Sequence, residues 1–315
     1  MKLTEDVRLI IKICKLYYEN DLSQKEIAKQ LNISTPQISR ALAFARQSGY
    51  VSVQINNPFA VESQYEERLV ETYGLRDALV INVPEGEGIE IGDVLAQASR
   101  NRMDQYLARS STVGLMSGRT IAWVTDAVTA QHKSNTLFVP LVGGMGVAGA
   151  DWHANNIARK LAVKTGGTSY ILNAPLVVRN PEARELLETE PEIDSVLSLA
   201  NKCDFMLLGV GEIADTATLV ESGSLTEAEI DGLKKEGAVA AVACGFIDDS
   251  GESLESDLTR RFIGARIREV RNCPHVVVAA FGRKKVEAID ATLKSGIAHE
   301  VITTAATARE LLEID

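Results

Sequence analysis

The chain has 315 residues, 45% of them hydrophobic and 24% charged, with a formal net charge of −10 at pH 7. That length suits about two domains and buries a sizeable core, and the composition excludes a mostly disordered chain. No apolar run approaches the roughly 20 residues of a membrane span, so no membrane partner is expected.

Thr4, Glu5 and Asp6 sit where the apolar core of a secretory leader would begin, so a cytoplasmic protein is expected. Cys14, Cys203, Cys244 and Cys273 are far apart, with no CxxC and no His at zinc spacing. They read as reduced thiols, with no metal and no cofactor. Charge is uneven along the chain. Residues 1–56 hold eight Lys/Arg against five acids, a net of +3, and the remainder holds 25 against 38, a net of −13. A small basic head on an acidic body leaves only the head suited to a phosphate backbone.

The head reads as a helix-turn-helix. Over residues 4–18 the apolar side chains Val7, Ile10, Ile11, Cys14, Leu16 and Tyr17 follow helical spacing. Ser23 with Glu26 three residues later forms a capping box that opens a second helix burying Ile27, Ala28 and Leu31. Asn32-Ile33-Ser34 supplies a tight turn, since Asn tolerates the left-handed conformation. Pro36 suits the first turn of a third helix, which turns Ile38 and Leu42 inward. Thr35, Pro36, Gln37, Ser39 and Arg40 then form its outward N-terminal end, of the kind that contacts DNA in the major groove. Tyr50–Ile55 alternates like a short strand, Asn56-Asn57-Pro58 marks a boundary, and residues 60–73 predict a helix.

Beyond residue 75, β-branched runs alternate with helical stretches, the pattern of a parallel sheet covered on both faces. The candidate strands span 78–82, 112–116, 136–141, 169–172, 205–210, 238–243, 275–280 and 299–303. Several end in glycine before a helix: Gly118, the Gly143-Gly144 pair, Gly209 with Gly211, and Gly282. Ligands of open α/β sheets sit beyond such strand ends, near helix N-termini. Gly118-Arg119-Thr120 and Gly282-Arg283-Lys284-Lys285 are the most phosphate-like, although any one glycine also serves tight packing. Neither GxGxxG nor GxxxxGK[ST] occurs, so no dinucleotide site or P-loop is indicated. GxSxG is absent, His132, His153, His275 and His299 are dispersed, and the acids from Asp248 to Asp257 read as a solvated loop. Trp152 and His153 are equally suited to stacking on a sugar and to helix packing.

The residues resemble the SorC/DeoR-type sugar-binding transcriptional regulators over essentially the whole chain. The resemblance rests on LSQKEIAKQLNISTPQISRAL in the head and on VGLMSGRT, VPLVGG, HANNIARKLA, NAPLVV and CDFMLLGVG in the body. GAV, GFIDDSG and a GxxKxxAI tail extend it. It implies a helix-turn-helix domain over 1–56 and, over 57–315, an effector-binding and oligomerisation domain. That domain would have the Rossmann-like α/β fold of the phosphosugar isomerase and CoA-transferase group, used for sensing. It implies a sugar or sugar-phosphate effector, and a homo-oligomer, a dimer of dimers, on double-stranded operator DNA of a carbohydrate-utilisation operon. Carried onto this chain, the effector contacts are Ser117, Gly118, Arg119, Thr120, Gly143, Gly144, Asn155, Gly209, Gly211 and Lys285. The chain departs from the family where Ala241 and Thr304 stand in place of the usual acids, and where Phe281-Gly282 replaces a glycine pair. The alternatives are a sugar-phosphate isomerase fused to a DNA-binding head, and a DNA-binding protein whose body only oligomerises.

Overall fold

The structure, a computed structural model, describes residues 6–53, 56–84, 89–129, 135–144 and 151–314. The chain divides into two compact units, Met1–Pro58 and Phe59–Asp315.

The first unit holds three helices, α1 (Val7–Tyr18), α2 (Gln24–Leu31) and α3 (Thr35–Gln47). Asp6 caps α1 by accepting the Leu9 N–H at 3.0 Å, which places the start at Val7. Ile10, Ile13 and Cys14 are the buried residues of α1, whereas Val7 is 42% exposed. The expected stripe therefore sits partly off the core, because Ile13 completes it and Val7 frays at the first turn. The capping box on α2 is present: the Ser23 N–H reaches Glu26 Oε2 at 2.8 Å. Such a cap contributes about 1 kcal/mol. Asn32 adopts the left-handed conformation, φ 50°, and lets α3 turn back across α2. Ile27, Ile38 and Leu42 fill the centre, and the small Ala28, Ala41 and Ala45 let the helices approach closely. The strand expected at 50–55 is not formed at Tyr50–Val53. The backbone N–H groups of Tyr50 and Val51 instead return to Ala45 O, finishing the end of α3. Gln54 and Ile55 lie outside the described residues.

The second unit opens with α4 (Ala60–Tyr73), β1 (Asp77–Ile81), α5 (Ile91–Arg109), β2 (Thr112–Leu115), α6 (Arg119–Asp126) and β3 (Leu137–Pro140). It continues with α7 (Ala154–Thr165), β4 (Thr168–Ser169), α8 (Pro181–Glu188), α9 (Pro191–Ala200), β5 (Phe205–Leu208) and β6 (Gly211–Glu212). Next come α10 (Thr218–Glu221), α11 (Glu227–Lys235), β7 (Ala240–Val242), β8 (Gly245–Ile247) and β9 (Ser253–Leu254). The chain closes with α12 (Ile267–Arg271), β10 (Val276–Ala279), α13 (Val286–Lys294), β11 (Glu300–Thr304) and α14 (Ala305–Leu311).

Among the described residues, seven strands build one parallel sheet in the order β1-β11-β10-β5-β2-β3-β4. Its strands read as unbroken apolar runs because both faces are covered. In β10, Val276 and Val278 join one core cluster while Val277 and Ala279 join the other. The run at 169–172 pairs only through Thr168–Ser169. Beyond that point a side chain takes over, with Asn155 Oδ1 accepting the Leu172 N–H at 3.0 Å.

The run at 238–243 departs from expectation. Ala240–Val242 belongs to a second sheet, antiparallel, in the order β6-β7-β8-β9. A short apolar run has the same pattern in either setting. The turn joining β7 to β8 also lacks an Asn-Gly or Asp-Gly signal, since Ala243 takes the positive φ of 52° instead.

Candidate functional site

The parallel sheet reverses direction between β2 and β5. After β2 the chain winds outward through β3 and β4, and from β5 it winds the other way through β10 and β11. At such a switch point the loops beyond the strand ends diverge and leave a crevice. A cavity of about 260 Å³ occupies it. Its lining includes Ser117, Gly118, Arg119 and Thr120 beyond β2, Gly209 and Gly211 beyond β5, and Lys285 beyond β10. These are seven of the ten expected effector contacts, drawn from three adjacent strands.

The β2 segment is held by the start of α7. Ser117 Oγ accepts the Ala154 N–H at 3.0 Å, and the Gly118 N–H donates to Trp152 O at 2.9 Å. Trp152 lines the cavity and meets His153 edge to face at 4.6 Å. Burial lowers the His153 pKa from 6.5, so the ring that supports Trp152 stays neutral at pH 7. Beyond Gly118 the first N–H groups of α6 have no partner within the helix, a donor set suited to an anion.

Lys285 supplies the second attraction. Gly282 takes φ 112°, a backbone open to glycine, and a short 3-10 turn over Arg283–Lys285 comes next. The Lys285 ammonium donates to Val210 O at 3.0 Å. Burial pushes its pKa down, Glu212 opposes that shift, and Arg119 adds to it. The cation is thus short of solvation and its nearest bonded partner is a neutral carbonyl, so a bound anion relieves it. Arg119 lies farther out and meets Glu221 at 3.0 Å, both side chains being more than half exposed. An exposed pair of this kind is worth little, about 0–1 kcal/mol, and leaves Arg119 free to exchange partners.

Gly143, Gly144 and Asn155 are absent from the lining. A Cβ on Gly143 would stand 2.5 Å from Pro175 O, so that glycine permits two backbones to touch. Gly144 exchanges backbone hydrogen bonds with the facing segment, its N–H to Ala174 O and the Leu176 N–H to its own carbonyl, both at 2.8 Å. Asn155 spends its amide on Leu172, donating to the carbonyl at 3.3 Å and accepting the N–H.

The two departures from the family pattern separate. Ala241 lines the cavity opposite Gly211 on the neighbouring strand. Thr304 does not line it; Thr304 Oγ1 caps α14 by accepting the Thr307 N–H at 3.3 Å, a role an acid performs equally well. Glu212, Thr216, Thr218 and Glu221 line the cavity although the sequence reading did not single them out. They follow β5 on the excursion to the antiparallel sheet, and no glycine-cation signature marks them. Among the described residues no three His, Cys, Asp or Glu side chains converge as a metal site.

In the first unit, Pro36, Ser39 and Arg40 are exposed on the first turns of α3, and Thr35 and Gln37 are half-buried. Gln37 has a structural duty: its Oε1 accepts the Ser34 N–H at 3.1 Å and the Ser34 hydroxyl at 2.7 Å. Its amide NH₂ remains as a donor. Arg40 Nε donates to Pro36 O at 3.3 Å, which lays the guanidinium along the outer face of the helix. Lys25 and Lys29 are exposed on α2.

The family model described as "Putative sugar-binding domain" matches residues 57–313. The chain is 28% identical over 308 residues to the deoxyribonucleoside regulator of Bacillus subtilis, covering 98% of both chains. To the sorbitol operon regulator of Klebsiella pneumoniae it is 24% identical over 318 residues, covering 99% of this chain and all of the other. The full-length structure of the Klebsiella pneumoniae regulator has the same fold, with a TM-score of 0.75 over 98% of this chain and 100% of that one. A DeoR family transcriptional regulator from Listeria monocytogenes, 26% identical, gives 0.73 over 79% of this chain and 99% of its own. The chain belongs to the SorC/DeoR-type family of sugar-binding transcriptional regulators.

Proposed function

We propose that the protein is a DNA-binding transcriptional regulator of a carbohydrate-utilisation operon, controlled by a sugar or sugar phosphate held at the β2/β5 switch point. The observation that carries this reading is the cavity itself, where α6 donors and a half-buried Lys285 converge from three strands. The lining has the chemistry of an anion receptor. The proposed effector contacts are Ser117, Gly118, Arg119, Thr120, Gly209, Gly211 and Lys285. Pro36, Ser39 and Arg40, with the Gln37 amide and Thr35 behind them, would face operator DNA from α3, and most of the affinity would come from phosphate contacts.

No helix among the described residues is long and apolar enough to cross a membrane. Operator binding places the protein in the cytoplasm, as a homo-oligomer, a dimer of dimers, on a two-fold symmetric site. The cavity serves sensing and not turnover. Its effector must bind the DNA-competent and DNA-incompetent states unequally, otherwise occupancy changes nothing.

The test is thermal melting of the full-length chain against matched free and phosphorylated sugars, with operator retention measured in parallel. A ligand at about 100 times its Kd stabilises by roughly 2.7 kcal/mol, a rise of roughly 5–11 °C for a body of this size. A rise with one sugar or sugar phosphate that also changes operator retention supports the reading. No rise across a broad panel, with operator retention unchanged, overturns it. Ketose–aldose conversion by the purified chain would replace it with the isomerase reading.

A further inference from the structure

The switch-point cavity has two chemically unlike sides, and both bear on the effector only if the cavity is the effector site proposed for it. Where the parallel strands end, it presents hydroxyls and charges: Ser117, Arg119, Thr120, Glu212 and Lys285. The other side is the surface of a separate buried apolar cluster. Val142, Leu176, Phe246 and Phe262 from that cluster are each at most 4% exposed, and Leu219 and Ala241 pack against them. None of these six side chains carries a hydrogen-bond donor or acceptor. Phe246 and Phe262 meet edge to face at 5.7 Å, so the two rings brace each other and the wall is not free to turn a polar group inward. Ala241 stands opposite Gly211, and its methyl lies only 3.3 Å from where a Cβ on Gly211 would be. The strand on that side offers the ligand an apolar contact where a longer polar side chain would reach a hydroxyl.

A fully hydroxylated ligand would turn part of its edge toward this wall, losing water there and gaining no partner. An apolar pocket rejects one added hydroxyl by about 10- to 100-fold. We propose that the effector is an anionic, partly deoxygenated compound: a sugar-derived phosphate monoester whose CH₂ or CH₃ edge lies on Ala241, Phe246 and Phe262 while its phosphate faces Lys285 and the start of α6. Ala241 and the two phenylalanines set specificity, and the cation sets charge preference.

Isothermal titration of the full-length chain with two matched pairs tests this. The pairs are ribose 5-phosphate against 2-deoxyribose 5-phosphate, and glycerol 3-phosphate against propyl phosphate, with inorganic phosphate as the reference. The expected result is that the deoxygenated member of at least one pair binds tenfold tighter or more. The Ala241→Asn chain, with a polar group placed on the wall, should then narrow or reverse that preference. If neither deoxygenated member reaches a tenfold advantage, the inference fails while the effector-site reading stands. If no phosphate compound binds at all, the reading of the cavity as a phosphate site fails and takes the inference with it. Should Ala241→Asn not fold, the comparison of pairs on the unaltered chain still decides.

Discussion

Lys285→Met removes the cavity's deepest cation while keeping a side chain of similar length and flexibility. Two consequences oppose each other without ligand. Deleting a partly desolvated charge is favourable, because burial already disfavours the ammonium. Leaving Val210 O without its 3.0 Å donor is unfavourable by about 1–3 kcal/mol. Stability at pH 7 should therefore move by no more than about 1–2 kcal/mol in either direction. Binding has no such cancellation. A charge-assisted hydrogen bond to a phosphate contributes about 1.5–3 kcal/mol, so the variant should bind a phosphorylated effector roughly 10- to 150-fold more weakly. A neutral sugar should lose far less. The depressed Lys285 pKa adds a second signature. In the unaltered chain its contribution to stability is present above the ordinary value of 10.5 and is lost as pH falls toward the lowered folded value. The Met variant should lack that slope. Titration calorimetry with a phosphorylated effector measures the affinity, and urea melts between pH 8 and 10.5 measure the slope. Affinity within threefold of the unaltered chain would refute the assignment of Lys285 to the phosphate.

Arg40→Ala should weaken operator binding by about 1–3 kcal/mol if the guanidinium reads a base, with helix content unchanged by circular dichroism. Undiminished affinity in a mobility-shift assay removes Arg40 from the DNA-facing set. Gly143→Ala should destabilise the second unit by about 1–3 kcal/mol, since the new Cβ would overlap Pro175 O at 2.5 Å. A variant with normal urea stability but lost effector binding would show instead that Gly143 contacts ligand. At the opposite end of the sheet, Glu300 Oε1 meets His275 Nε2 at 2.7 Å, and Tyr106 donates to the same carboxylate. Burial raises the Glu300 pKa, but the bonds from His275 and Tyr106 with the nearby Arg102 outweigh it, so the folded value lies below 4.5. Its contribution is full above 4.5 and lost as pH falls through the lowered value. Glu300→Gln should flatten the acid limb of stability below pH 5, and an unchanged acid limb in urea melts would refute this.

The sequence disclosed most where a local signal and a buried face agree. Ser23 and Glu26 form their capping box, Asn32 takes its left-handed turn, and Val276–Ala279 lies buried on both faces of a parallel sheet. It disclosed least where pairing is decided by distant segments. Ala240–Val242 pairs antiparallel with Gly211–Glu212 because the two helices after β5 bring the chain back from the other direction. No pattern within 238–243 carries that information. Ile13 and Val7 exchanged roles in α1 because periodicity fixes a face only to within the width of the stripe.

The same boundary separates the glycines that belong to the cavity from those that do not. In sequence, Gly118, Gly143, Gly209 and Gly211 look alike, since each follows an apolar strand and precedes a polar or helical stretch. What differs is the space beyond them. A Cβ on Gly118 or Gly209 would have its nearest neighbour at 3.5 or 3.7 Å, and both residues face the cavity. On Gly143 it would strike a carbonyl at 2.5 Å. One kind of glycine is small so that backbone can lie on backbone, and the other is small so that something else can come near. The strand order decides which is which: β2 and β5 flank the reversal of the sheet, and β3 lies beyond it. A ligand glycine is therefore identified by the topology of the sheet around it, and Arg119 and Lys285 matter because they are the cations that this topology brings to the same crevice.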